Sequence, residues 1–260
     1  MAYKALFFDI DGTLVSFKTH RIPPSAVEAI RQLRQQGVLV IIATGRLMRD
    51  IRNLEGLDFD GYMTVNGGCC LTGDGKVLLD RGIPREDLTQ LFDRLDRDPF
   101  PCSFMTADGI FVNYVDDRVA ALAKLVDLPT PQVRNLRQLA AEQTIYQINI
   151  YVDQQREMAL MPLFPNCVSS RWNDLFADIN LRGIDKFSGM ECFLKHYGVD
   201  WSETMAFGDG GNDVPMIQGA AVGVAMGGAC EAAEAIADYV TADVDEDGIA
   251  KALRHYQLIQ

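Results

Sequence analysis

The sequence predicts an α/β fold, a doubly wound and mostly parallel sheet interrupted by an inserted α+β block. Three observations lead there. Short continuous apolar runs, such as Leu6-Phe7-Phe8 and Val38 to Ala43, read as strands buried on both faces. Stretches with apolar residues at helical spacing separate them, the β-α alternation of a parallel sheet. From about residue 84 to 182 that alternation gives way to hairpins mixed with helices, so the expected division is 1–83 with 183–260 for the sheet domain and 84–182 for the insert.

The first strand runs from Leu6 into Asp9-Ile10-Asp11-Gly12-Thr13. In open parallel sheets the ligand crevice lies beyond the carboxyl ends of the strands, and alternate residues of an extended segment point the same way. Asp9 and Asp11 are therefore candidates for one small volume. Pro23-Pro24-Ser25 precedes a helix whose face is Val27, Ile30 and Leu33, with Ser25 read as its N-cap, Glu28 three residues on and Gly37 at its end. The second strand, Val38 to Ala43, stops at Thr44-Gly45-Arg46, where a hydroxyl and free N–H groups suit an anion. A helix from about Met48 to Leu54, a strand from Tyr62 closed by Asn66-Gly67-Gly68, and a hairpin around Gly73-Asp74-Gly75 complete this half.

In the insert, a helix over 84–97 precedes strands near 102–106 and 110–114, a helix from Asp117 to Val126, and a polar helical stretch beyond Pro129 and Pro131. Residues 145–151 alternate as in a sheet with one open face. A helix near 155–163 and strands at 167–172 and 175–180 follow. The sheet domain then resumes: Asp185-Lys186 opens a helix that stops at Gly198, and Thr204 to Phe207 is a core strand ending in Gly208-Asp209-Gly210-Gly211-Asn212-Asp213. A helix with Val214, Met216 and Ile217, a strand from Ala221 to Met226, a helix at Glu231 to Ala237, strand Tyr239-Val240 and a helix from about Glu246 to Tyr256 close the chain.

With 24 basic and 36 acidic side chains the formal charge is -12, which argues against a general nucleic-acid or anionic-membrane binder. An anionic substrate stays compatible, because a local cation can dominate the field of one site. The six cysteines form no C-x-x-C pair and read as reduced thiols. No run approaches the roughly 20 apolar residues of a membrane helix, and no leader pattern opens the chain, so a cytoplasmic protein is expected. A monomer or weak homodimer is the expected assembly.

Four strand-exit groups now stand in order: the Asp9/Asp11 pair, Thr44, Lys186, and the Asp209/Asn212/Asp213 cluster. Oxygen-only acidic ligands beside a phosphate suit magnesium. As a set they resemble the haloacid dehalogenase-like (HAD) superfamily, whose phosphatases carry D-x-D-G-T, a Thr or Ser, a Lys, and an acidic G-D-x-x-N-D. The fold implied is a Rossmann-like HAD core. Only 32 residues separate Asp11 from Thr44, whereas 139 separate Arg46 from Lys186 and contain the insert. The chain is thus similar to the Cof-type sugar-phosphate phosphatases with a large C2-type cap. Phe187 departs from the pattern, since the family usually has Gly after its lysine.

The resemblance implies that Asp9 attacks phosphorus to form an aspartyl-phosphate, and that Asp11 protonates the leaving alkoxide and then deprotonates water. It implies that Thr44, Gly45, Lys186 and Asn212 bind the phosphoryl group. Mg2+ would be held by Asp9, the Asp11 main-chain carbonyl and Asp209, with Asp213 binding through the metal's water shell or steadying Lys186. The cap would select a small phosphorylated metabolite, a hexose or other sugar phosphate, with Arg171 and Trp172 as candidate contacts. His20, on the flap, is within reach of substrate in this reading, while His196 and His255 are read as helix-surface residues. A phosphosugar mutase uses the same core residues, and a non-catalytic sugar-phosphate sensor is the reading from another class. A dehalogenase is disfavoured, because a second aspartate in D-x-D serves an oxygen leaving group.

Overall fold

A computed structural model describes residues 3–52 and 54–260. The chain divides into two compact units, Met1–Asp80 with Ile184–Gln260, and Arg81–Gly183. The N-terminal part supplies β1 (Ala5–Phe8), α1 (Pro24–Gln35), β2 (Leu39–Ala43), β3 (Gly61–Thr64), β4 (Cys69–Thr72) and β5 (Val77–Asp80). The insert supplies α2 (Arg85–Arg97), β6 (Cys102–Thr106), β7 (Gly109–Val112), α3 (Asp117–Leu125), β8 (Gln132–Val133), α4 (Leu136–Glu142), β9 (Gln147–Ile150), α5 (Gln154–Leu160), β10 (Cys167–Asn173) and β11 (Phe176–Leu181). The return supplies α6 (Lys186–Tyr197), β12 (Thr204–Gly208), α7 (Val214–Gly219), β13 (Val222–Ala225), α8 (Glu231–Ile236), β14 (Tyr239–Val240) and α9 (Gly248–His255).

Among the described residues the first unit has one sheet in the order β14-β13-β12-β1-β2-β3-β4-β5. It is parallel from β14 to β3, and the β4–β5 hairpin adds antiparallel edge strands. The apolar run predicted for β1 is buried on both faces because β12 and β2 flank it. Phe8 and Phe207, register partners across β1 and β12, stack at 4.5 Å. From β1 the chain moves outward one way to β2 and β3, and from β12 the other way to β13 and β14. The strand order therefore switches beside β1, the position at which sheets of this kind take their ligands at the carboxyl ends.

Two local expectations for this unit fail for identifiable reasons. Ser25 is not the cap of α1: Pro23 holds that position and Pro24 supplies the first helical φ, which proline pre-sets, while the Ser25 hydroxyl donates to Asp247. The helix expected from Met48 is a single 3-10 turn, Met48–Asp50, and Asn53 of that expectation lies outside the described residues.

The second unit is a sheet in the order β10-β11-β9-β6-β7-β8, with most neighbours antiparallel. Cys102, Phe104, Ile148, Ile150, Ala177 and Ile179 carry its main core. The opposite face of β9, expected open from its alternation, is largely covered: Asn149 and Tyr151 are buried, and Val112, Val119, Tyr151 and Phe176 form a second small core. The polar side chains there satisfy one another. Ser103 Oγ donates to Asn149 Oδ1 at 3.3 Å, and Asp178 accepts from Gln147 at 2.8 Å and from Asn149. No helix among the described residues is long and apolar enough to cross a membrane.

Candidate active site

The site is assembled at the carboxyl ends of β1, β2 and β12 and at the start of α6. Asp9 follows β1, is 6% exposed, and is tied to β12 by its N–H, which donates to the Phe207 carbonyl at 3.0 Å. Lys186 is the first residue of α6, whose cap Asp185 accepts from Ser188 N–H at 2.7 Å while Ser188 Oγ accepts from Asp185 N–H at 3.0 Å. This reciprocal box fixes the entry of the helix and hence the root of the lysine. The Lys186 ammonium, wholly buried, donates to Asp9 Oδ1 at 2.5 Å and also to Asp213 Oδ1. Residues 177 positions apart in sequence are thereby joined by one charge-assisted bond.

The acidic loop after β12 folds back on itself. Asp213 Oδ2 accepts from the N–H groups of Asp209 at 2.9 Å and Gly210 at 2.8 Å. This return needs glycine at 208, where a Cβ would meet the Asp213 Cβ at 2.4 Å. Asp209 Oδ1 accepts from Thr13 Oγ1 at 2.9 Å, which brings the loop against the turn after β1. Gly12 stands there at φ +84°, and any side chain would come within 2.4 Å of Asp209 Oδ2.

Thr44 is buried at the exit of β2, its Oγ1 accepting from Arg46 N–H at 3.1 Å. Asn212 Nδ2 donates to Asn66 Oδ1 at 2.9 Å. Asn66 sits in a left-handed turn, with Val65 at φ +50° and Asn66 at φ +52°, and a β-branched residue in that region marks real backbone strain at this edge of the site. Among the described residues the N–H groups of Asp11 and Gly45 have no acceptor, so both are available to an anion.

Burial pushes the Asp9 carboxyl up to about 7, and the Asp213 and Asp209 charges add to it against the pull of Lys186. Burial likewise carries Asp209 up to about 6. Burial opposes the charged form of Lys186, but Asp9 and Asp213 outweigh it and hold the amine above its ordinary value. Two carboxylates so reluctant to ionise side by side are the electrostatic complement of a cation. Asp9, Asp209 and Asp213 each offer an oxygen within 4.8 Å of the others. Asp213 is nevertheless a poor direct ligand, since both its oxygens are engaged by Lys186 and the loop N–H groups. Asp9 Oδ2 and the Asp11 carbonyl take no hydrogen bond among the described residues. All-oxygen donors of this kind fit Mg2+.

Asp9, Lys186, Asp209 and Asp213 are thus brought into one cluster, with Thr13 joined to it through Asp209. Arg171 is not free for a ligand: its guanidinium donates to Glu157 Oε2 at 2.7 Å, to the Val152 carbonyl at 2.9 Å and to the Asn173 carbonyl at 3.3 Å. Trp172 is 60% exposed and edge-on to Phe176 at 5.1 Å. Phe187 takes up the space a glycine would have left: it stacks on Trp201 at 4.8 Å, its ring lying where a side chain on Gly219 would stand. His255 stacks on Tyr239 at 4.3 Å. Thr13, Arg46 and Asn66 are members of the site that sequence reasoning passed over. All three lay inside motifs already marked, Asn66 in a strand ending in Asn-Gly-small that resembles the Cof-type pattern, but none was given a role of its own.

A family model described as haloacid dehalogenase-like hydrolase matches residues 6–253. The Bacillus subtilis (strain 168) protein YkrA is 33% identical over 265 residues, covering 100% of both chains. The solved structure of BT1666 from Bacteroides thetaiotaomicron, described among phosphatases of the haloalkanoate (HAD) enzyme superfamily, has a TM-score of 0.91 at 36% identity, covering 99% of this chain and 96% of that one. BT4131, described as a HAD subclass IIB sugar phosphatase, has a TM-score of 0.81 at 39% identity, covering 98% of this chain and 100% of that one.

Proposed function

We propose, from the premise that this chain belongs to the haloacid dehalogenase-like hydrolase family and is one of its phosphatases, that it hydrolyses hexose or related sugar phosphates with Mg2+ through an aspartyl-phosphate. The observation that carries the reading is the buried Lys186 ammonium held between Asp9 and Asp213, with Asp209 beside them at the mouth of β1. A sugar phosphatase among the similar structures supports the substrate class.

In this reading the Asp9 carboxylate attacks phosphorus as the ester oxygen departs, and Asp11 gives that oxygen its proton. Water then attacks the phosphorus of the aspartyl-phosphate, its proton passes to Asp11, and the bond to Asp9 breaks. The Asp11 and Gly45 N–H groups, the Thr44 hydroxyl, Asn212 and Lys186 hold the non-bridging oxygens in both halves. Asp9, the Asp11 carbonyl and Asp209 would hold Mg2+, which when bound supplies charge neutralisation to the phosphoryl oxygens. Asp213 keeps Lys186 and the loop in place. The test is phosphate release from a panel of phosphorylated sugars, nucleotides and vitamins, with Mg2+ or with chelator. Turnover of sugar phosphates that needs the cation is expected. Because Asp9 and Asp209 must lose protons to bind it, cation affinity should rise as pH goes from about 6 to 8. Turnover indifferent to chelator would sink the metal assignment.

Residues 81–183 act in this reading as the cap that selects substrate. Trp172 offers a flat exposed surface beside the Asp178 carboxylate and the Gln147 amide, groups that suit a sugar ring and its hydroxyls. Arg171, already committed inside the unit, is not carried forward. Trp172→Ala is expected to raise KM for the preferred sugar phosphate about tenfold, while kcat/KM for p-nitrophenyl phosphate changes less. Equal changes on both would remove Trp172 from substrate selection.

A further inference from the structure

Arg46 ends the Thr-Gly-Arg run after β2 and presents its guanidinium to Asp11 as a fork. Nε donates to Asp11 Oδ2 at 2.8 Å and Nη2 donates to Oδ1. The remaining nitrogen, Nη1, donates to the Asp50 carbonyl at 3.4 Å. The Arg46 main chain is held on both sides: its N–H donates to Thr44 Oγ1, and its carbonyl accepts from Val65 N–H at 3.1 Å. Both side chains are partly solvated, at 30% and 40% exposure, where an ion pair contributes at most about 1 kcal/mol to stability. What the bidentate fork supplies is direction, which a point charge would not.

A carboxylate has roughly four lone-pair sites, two on each oxygen. The fork takes one on each and fixes the plane, so the sites that remain point in set directions. Asp11 is two residues beyond Asp9 on the same strand exit. Its orientation therefore decides whether a proton meets the ester oxygen on a phosphorus attacked by Asp9.

We propose that Arg46 is the positioning residue for the proton transfers of Asp11, an inference that rests on the reading of Asp11 as acid and base. In the first half the Asp11 proton goes to the departing oxygen as the Asp9–phosphorus bond forms, leaving the carboxylate in the fork. In the second half the proton returns from water as its oxygen bonds to phosphorus and the bond to Asp9 breaks. Arg46 keeps the carboxyl plane fixed through both.

The test compares the hexose phosphate with the highest turnover, whose alkoxide needs a proton to leave, with p-nitrophenyl phosphate, whose phenolate does not. The quantity read is kcat/KM, which ends at phosphoryl transfer to Asp9. In Arg46→Ala the ratio of the p-nitrophenyl to the hexose value should rise about 10- to 100-fold. Added guanidinium ion should bring it part of the way back, and Arg46→Lys, a charge without a fork, should leave it raised. Losses of equal size on both substrates would overturn the inference. Asp11→Asn is the control: a ratio moved by Asp11→Asn but not by Arg46→Ala overturns the inference alone. A ratio moved by neither overturns the reading of Asp11, and the inference with it.

Discussion

Replacing Asp9 with asparagine is expected to abolish phosphomonoester turnover, lowering kcat by about four orders of magnitude or more, in a protein that still folds. The amide has the shape of the carboxylate and can still accept from Lys186, but it cannot displace an alkoxide from phosphorus. Stability should not suffer at high pH. The folded pKa of Asp9 is raised to about 7 from an ordinary 3.8, so any stability tied to this group is present at low pH and lost as pH rises through 7. Asparagine removes the ionised form responsible for that loss, although Lys186 then keeps only Asp213 as a charged partner. Urea midpoints at pH 8 should therefore be equal to or above those of the parent. Mass spectrometry of acid-quenched enzyme should find a phosphoryl adduct on the peptide containing Asp9 and none in the variant. Phosphate release by Asp9→Asn at the parent rate would remove Asp9 as nucleophile.

What the sequence made legible was whatever depends on the order of residues along one strand and its exit. Asp9 and Asp11 follow an apolar run, Thr44 follows another, and Asp209 to Asp213 a third, and buried parallel strands bring such exits to one edge. Lys186 was legible because a helix start fixes where its first side chain is rooted. Side-chain partnership was not legible in the same way. Arg46 and Arg171 look alike in sequence, each a cation near a strand end, yet one forks onto Asp11 and the other gives one bond to the buried Glu157 and the rest to main-chain carbonyls. Which carboxylate an arginine meets depends on packing between distant elements. Asn66 was hidden for another reason: its role comes from a left-handed backbone that carries its amide to Asn212. The alternation of residues 145–151 likewise reported polar side chains correctly, but not that Ser103 and Asp178 would close over them.

The second large effect concerns stability as much as chemistry. Lys186→Met should cost about 3–5 kcal/mol of unfolding free energy at pH 8, the range for stripping one partner from a buried ion pair. Lys186 is wholly buried, and the Asp9 and Asp213 side chains are 8% and 1% exposed, so neither carboxylate can recover its hydration by turning outward. With the ammonium gone, two anions are left facing each other with little water between them, and the favoured outcome is that they share a proton. The Asp9 carboxyl, already raised to about 7 with the lysine present, must rise further without it. The folded variant then keeps a proton above pH 7 that the folded parent has released, so its stability goes on falling with pH after that of the parent has levelled. The gap between parent and variant should accordingly be narrow at pH 5 and wide at pH 8, and saturating Mg2+ should narrow it again by supplying the missing positive charge. Turnover should fall with it, because the charge that held the phosphoryl oxygens is absent. A pH-independent loss under about 1 kcal/mol would mean that the three buried groups contribute packing alone, and that the charge balance argued for this site is wrong.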